Sequence, residues 1–310
     1  MTNNSSSSAA PRVGIAPDSW GVWNAVDELQ PGPDQYLREV QEAGYTWTEI
    51  GPYGYLGTNH SQVADDIAAH GLKVSGGTVF TGMHRGLAEL DAAWPEISKV
   101  AALVQSLGAE HLITIPEMWQ RHSVTGDVES ARTFTAEEWT NFFAGHDALG
   151  KRLLEEFGLR QQFHSHAETP VGSYNEIVRL LEGTNPEYIN LCLDTGHFSY
   201  YWGDSVRLIK EYPNRVGYLH LKQVHEDILA DVLKNEISFV DAVQMGIMVE
   251  PPQGSPDYGP ILEEANKHNP GIFAIIEQDM YPLPDFALPK QIAIRTREYI
   301  EGLSVPTQFN

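Results

Sequence analysis

The run Ile189-Asn190-Leu191-Cys192-Leu193 is short, apolar and rich in branched side chains, and it ends on Asp194-Thr195-Gly196-His197. Such a run reads as a buried strand. Its last residues place a carboxylate and an imidazole where strand becomes loop, and in a parallel α/β architecture neighbouring strand ends converge on one cleft at that level. The fold therefore turns on whether other strands end in the same way.

Three do. Val216 to Lys222 carries His220, Phe273 to Asp279 carries Glu277, and Leu159 to Glu168 carries His164, His166 and Glu168. Taken singly, Asp194 reads equally as a helix N-cap, His220 as a hydrogen-bonded core histidine and Glu277 as a surface charge. Together, Glu168, Asp194, His220 and Glu277 each close an apolar run, giving three carboxylates and one imidazole. That set suits a hard or borderline divalent cation, Mn2+ first, with Mg2+ or Co2+ as alternatives.

Working outward, the same rhythm covers the chain. Strands are expected at Val13, at Thr46 to Ile50, at Leu72 to Phe80 and at His111 to Ile115, each followed by a helical pattern. These helices are Asp34 to Ala43, Val63 to His70, Leu87 to Leu107 and Ala136 to Phe157, ending at Gly44, Gly71, Gly108 and Gly158. Pro95 is expected to divide the third of them. In the second half, helices are expected at about Tyr174 to Leu181, Ser205 to Glu211, Phe239 to Met245 and Pro289 to Glu301. Eight strand-helix units predict a (β/α)8 TIM barrel of the α/β class. A doubly wound sheet competes, but Gly51-Pro-Tyr-Gly54-Tyr-Leu-Gly57 has the wrong spacing for a dinucleotide turn. The expected organisation is a loose N-terminal tail over 1–11, one barrel domain over 12–303 and a C-terminal tail over 304–310.

The 310 residues carry a formal charge of −22, which opposes nucleic acid and acidic membrane surfaces. No apolar run approaches bilayer-spanning length, and the serine-rich start lacks the basic and apolar parts of a secretion signal, so the expected compartment is the cytoplasm. Cys192 is the only cysteine. It excludes an internal disulfide, and within its strand it reads as a small core residue.

Gly14-Ile-Ala-Pro17 with Trp20, Asp194-Thr-Gly-His197, Tyr212 to Arg215 before His220-Leu-Lys222, and Glu277-Gln-Asp279 resemble the xylose isomerase-like superfamily of sugar isomerases and epimerases. Within it, the likeness is to inosose dehydratases of inositol catabolism. The resemblance implies a metal-dependent barrel acting on a sugar or cyclitol ketone, with Asp194, His220 and Glu277 as ligands. Glu168 replaces the first ligand, or His166 serves instead, because the acid common in similar dehydratases is here Gly172. Gln223 stands where an Asp is common, and Glu250 to Tyr258 is a proline-rich replacement for a shorter loop.

The implied chemistry removes a proton next to a carbonyl, with Glu168 or Glu277 as base and His166 or His197 as proton donor. Loss of a β-hydroxyl makes a dehydratase, and reprotonation makes an isomerase or epimerase. Similar barrels also form the large subunit of lyases that cleave 3-keto-glycosides with a small partner subunit. A homo-oligomer is also compatible with the sequence, and a barrel of this kind without its metal would be a sugar-binding protein. Lys222, Glu49, Asp279 and His164 are candidate substrate contacts, with Trp20 and Tyr53 as candidate walls; His84 and His111 read as structural.

Overall fold

The computed structural model describes residues 9–122 and 125–310. In chain order, the first half runs β1 (Arg12–Ile15), α1 (Pro33–Glu42), β2 (Trp47–Glu49), α2 (His60–Ala69), β3 (Lys73–Thr81), α3 (Leu87–Ser106), β4 (His111–Pro116), α4 (Ala136–Phe157) and β5 (Arg160–His164). It continues through α5 (Tyr174–Gly183), β6 (Ile189–Asp194), α6 (Thr195–Ser199), α7 (Ser205–Glu211), β7 (Val216–Leu221), β8 (Gln223–Val224) and α8 (Glu226–Asn235). The chain is completed by α9 (Phe239–Gln244), β9 (Met248–Val249), α10 (Tyr258–His268), β10 (Phe273–Ile276) and α11 (Leu288–Glu301). Strands β1 to β7 and β10 close into one parallel barrel, β10 pairing with both β7 and β1. The expected TIM barrel is what forms.

Local chemistry accounts for the elements. Helix α4 starts on a capping box, in which Thr135 Oγ1 accepts the Glu138 N–H at 3.2 Å and Glu138 accepts the Thr135 N–H at 2.7 Å. It stops at Gly158, whose φ of 70° lies in the left-handed region that glycine enters without a Cβ penalty. Helix α3 runs unbroken through Pro95, contrary to the expected division. Its apolar face, Leu90, Trp94, Ile97, Val100, Ala101 and Val104, is buried, and that packing outweighs the one backbone hydrogen bond that proline removes.

Side chains alternate across each strand, so one parity fills the barrel. Ala16, Ile113, Cys192, Tyr218, Phe273 and Ile275 form a separate buried cluster with Trp47 packed on it. Cys192 is thus a core residue, and burial pushes its thiol up to about 12. Continuing the same parity to the C-terminal rim brings up Asp18, Glu49, Phe80, Ile115, His164, Asp194, His220, Lys222, Glu277 and Asp279. The main core, including Phe142, Leu149, Phe163, Leu180 and Leu208, lies between strands and helices.

Two stretches differ from the sequence reading. Residues 304–310, expected as a C-terminal tail outside the barrel domain, pack on it: Phe309 is buried and packs on Tyr45, while the Val13 and Thr46 N–H groups donate to Gln308 O at 2.7 Å and Phe309 O at 3.0 Å. Of the expected tail over 1–11, residues 1–8 lie outside the described residues, and Pro11 O accepts the Gln308 N–H. The stretch after β7 is also more than one helix. The β8–β9 ribbon, α8 and α9 form a rim insertion with its own core of Val224, Leu229, Val232, Ala242 and Ile247. Helix α10, packed on α7, leads back into the barrel.

Candidate active site

The decisive stretch assigns a task to each of its last four residues. Asp194 caps α6, Oδ1 accepting the His197 N–H at 2.7 Å, which fixes Oδ2 toward the barrel axis. Thr195 Oγ1 lies 2.8 Å from Lys222 O and 2.9 Å from Lys222 N, clasping the ends of β6 and β7 together. Gly196 leaves room for the Lys222 stem, since a Cβ there would stand 2.6 Å from Lys222 Cγ. His197 Nδ1 accepts the Ala167 N–H at 3.3 Å. The N-cap reading of Asp194 and its site reading are therefore both right, one for each oxygen.

Around Asp194, one ligand atom each from His164, Asp194, His220 and Glu277 lies within 4.8 Å of all the others, and all four residues are buried. His164 Nε2 is 3.4 Å from Asp194 Oδ2, and His220 Nδ1 is 3.1 Å from Glu277 Oε2. Asp194 Oδ2 and His220 Nδ1 make no hydrogen bond. Buried polar atoms are ordinarily satisfied, so these two atoms, set beside His164 and Glu277, fit the donor set of a divalent cation.

Glu168, expected as the first ligand, does not belong to this cluster, and His164 takes the place. Glu168 has a positive φ of 59°, which turns the chain away from the axis. Its carboxylate accepts the Phe239 N–H at 3.1 Å and faces Arg121 at 3.9 Å. Burial raises its pKa. His166 is also outside the cluster; its Nδ1 lies 2.8 Å from Ala167 O and its ring lies 3.6 Å from that of His197. At Gly172 a Cβ would meet Tyr201 at 2.4 Å, so an acid there would require that ring to move. Gln223 instead pins the proline-rich loop, donating to Pro256 O at 2.8 Å and accepting the Gly254 N–H at 3.1 Å.

The surrounding charges are tightly linked. Lys222 Nζ lies 2.9 Å from Asp279, 3.1 Å from Glu277 and 3.3 Å from Asp194. Burial works against its charge, but Asp194, Asp279 and Glu277 outweigh it and raise its pKa. Burial likewise opposes the Glu277 carboxylate, yet His220 and Lys222 hold it below the usual range. Burial beside His164 lowers His166 to about 3, so that imidazole is neutral. Glu49 Oε1 lies 2.9 Å from His220 Nε2 and 2.9 Å from the Tyr218 hydroxyl, which itself is 2.8 Å from Ser75 Oγ. Glu49 is therefore directed at His220, fixing its ring with Nδ1 toward the cluster.

Of these groups, Glu49, His166, His220, Lys222, Glu277 and Asp279 line a cavity of about 630 Å3. The expected substrate contacts Lys222, Glu49, Asp279 and His164 line it, and so do the expected acid–base residues His166, His197 and Glu168. Trp20 and Tyr53 do not. Trp20 is fully buried, its Nε1–H donating to Glu39 at 2.8 Å, and Tyr53 packs on the main core. The aromatic walls are instead Trp23, Phe80, Trp119 and Phe239. Asp18 is a further cavity residue that sequence reasoning passed over, although its parity with Gly14 and Ala16 was a usable signal. His111 lies lower in the barrel, where Nδ1 is 3.0 Å from Gln162 Nε2, and His84 stacks on Phe134.

The family model for the xylose isomerase-like TIM barrel matches residues 37–301. The chain belongs to that family. It is 30% identical to inosose dehydratase of Geobacillus kaustophilus over 94% of both chains. It is 32% identical to inosose dehydratase of Clostridium beijerinckii, over 94% of this chain and 96% of that one. Among solved structures, the IOLI protein with a bound zinc atom superposes with a TM-score of 0.69 at 14% identity, covering 94% of this chain and 96% of that one. That likeness is one of fold.

Proposed function

We propose that this chain is a divalent-metal-dependent lyase that dehydrates a neutral keto-cyclitol of the inosose type. The convergence of His164, Asp194, His220 and Glu277 on one point of the cavity carries the reading, with support from the dehydratase relatives. His164 Nε2, Asp194 Oδ2, His220 Nδ1 and a Glu277 oxygen would hold the ion. Two imidazoles with two carboxylates favour Mn2+, Co2+ or Zn2+ over Mg2+. Bound there, the metal supplies Lewis-acid stabilisation of the enediolate charge.

The residues divide the proton work. Glu277 is the base that removes the proton next to the carbonyl. His197 Nδ1 accepts the Ala167 N–H and its Nε2 lies 3.1 Å from Lys222 Nζ; this Lys222–His197 pair supplies the proton to the departing β-hydroxyl, which leaves as water. Lys222 keeps Glu277 and Asp279 ionised and oriented. Glu168 serves as cavity wall, its carboxylate held by Phe239 and Arg121.

The charge of the cavity narrows the substrate. Asp18, Glu49, Glu117, Glu129, Glu168, Glu277 and Asp279 line it, and Lys222 is the only Lys or Arg among its described lining residues. With that ammonium already shared by three carboxylates, nothing receives a phosphate or carboxylate group. A neutral polyol fits.

Incubation of the Mn2+-loaded chain with inosose in heavy water, followed by mass spectrometry, tests the proposal. A product lighter by one water is expected. Recovered inosose that has gained deuterium without losing water would replace the lyase with an epimerase or isomerase.

A further inference from the structure

The cavity is larger than its polar floor needs. At roughly 30 Å3 per water-sized unit, 630 Å3 holds roughly twenty, against about a dozen heavy atoms in a keto-cyclitol. The two parts of its lining also come from different strands. The cluster and Lys222 stand on β5, β6, β7 and the end of β10, whereas β3 and β4 contribute no ligand and present Thr78, Phe80 and Ile115. Phe80 and Ile115 are paired in the sheet register and so are neighbours. Phe80 is 53% exposed although it lines the cavity.

Two further aromatic rings that line the same cavity already have partners holding them in place. Trp23 stacks on Tyr281 at 5.0 Å and 22°, and Trp119 packs on His166 at 4.4 Å. Among the described lining residues, no Lys or Arg belongs to this half. A flat apolar wall with one large aromatic left uncovered matches the face of a ring, through stacking and exclusion of water.

The geometry points to an outer subsite, walled by Phe80, Ile115, Trp23 and Trp119, that receives a second uncharged ring carried by the polyhydroxylated substrate. This rests on the proposed reading of the inner site as one for a neutral polyol. The substrate class becomes a two-ring glycoside or ether, in which the first ring meets the carboxylates and the second meets the aromatics.

Calorimetric titration of the full chain with non-reacting probes tests it: methyl β-D-glucoside, phenyl β-D-glucoside and cellobiose. The phenyl compound should bind about tenfold more tightly than the methyl compound. That ratio should fall toward one in Phe80→Ala and stand between in Phe80→Leu, which keeps apolar volume without a flat face. An equal gain for cellobiose assigns the subsite to a second sugar, and a gain confined to the phenyl compound assigns it to an aryl group. A ratio near one in the unaltered chain, or one that Phe80→Ala leaves unchanged, overturns the subsite. Inosose turnover is measured on the same preparations. Dehydration without ring preference overturns the subsite alone, and ring preference without dehydration overturns the reaction alone.

Discussion

Replacing Glu49 with Gln removes a charge from the hydrogen bond that aims His220, while keeping size and shape. Glu49 Oε1 is shared by His220 Nε2 and the Tyr218 hydroxyl, each at 2.9 Å, so Nε2 is committed to Glu49 and Nδ1 is turned toward Glu277, 3.1 Å away. An amide oxygen still accepts both groups but no longer polarises the imidazole, and the amide can rotate to present N–H groups that have no acceptor there. Loss of such a support for a ligating histidine weakens metal binding about tenfold to a hundredfold, or about 1.4 to 2.7 kcal/mol. Titration with Mn2+ in a chelator-buffered solution, monitored by calorimetry, reads this directly, and a thermal melt of the metal-free protein separates it from unfolding. Unaltered metal affinity in a folded Glu49→Gln protein would refute the role given to Glu49.

Gly196→Ala should push the Lys222 stem aside, since the added Cβ starts 2.6 Å from Cγ. Denaturant unfolding should show a loss of about 1 to 3 kcal/mol, and turnover should fall further than the lost folded fraction explains. Stability should also depend on His111 and His146, which burial lowers to about 3. Both are neutral in the fold, so the unfolded chain binds more protons below about pH 6.5; their contribution is complete above that pH and is lost as pH falls toward their folded values. Each adds about 1.4 kcal/mol per pH unit to the slope of unfolding free energy in that window. Urea melts between pH 4 and 7 should show a shallower slope by that amount in His146→Gln, and an unchanged slope would contradict the assignment.

Much of this was legible along the chain because strands, turns and caps obey local rules. Eight apolar runs, each followed by a helical pattern, were enough for the barrel, and Asp194, His220 and Glu277 were visible as the polar ends of three of them. The fourth member of the cluster is His164 where Glu168 was expected, for a physical reason. On β5, Gln162 and His164 share the parity that points into the barrel, while Phe163 packs outward on Phe142 and His146. Glu168 lies four residues past the strand, beyond a turn whose positive φ no composition announces. Strand parity alone would have selected His164. The aromatic walls were harder: Trp20 and Trp23 are alike in composition, and only the short helical turn at Pro17–Trp20 sends one to the core and the other to the cavity. The rim insertion that delivers Phe239 is set by long-range packing of α8 and α9 on the β8–β9 ribbon, which local patterns do not encode.

Metal content per chain, measured by mass spectrometry on unaltered, His164→Ala and Glu168→Gln proteins after growth in manganese, bears most directly on the cluster. One equivalent is expected in the unaltered protein and in Glu168→Gln, with little in His164→Ala. Full occupancy in His164→Ala together with loss in Glu168→Gln would contradict the assignment of His164, Asp194, His220 and Glu277 as the set that holds the ion.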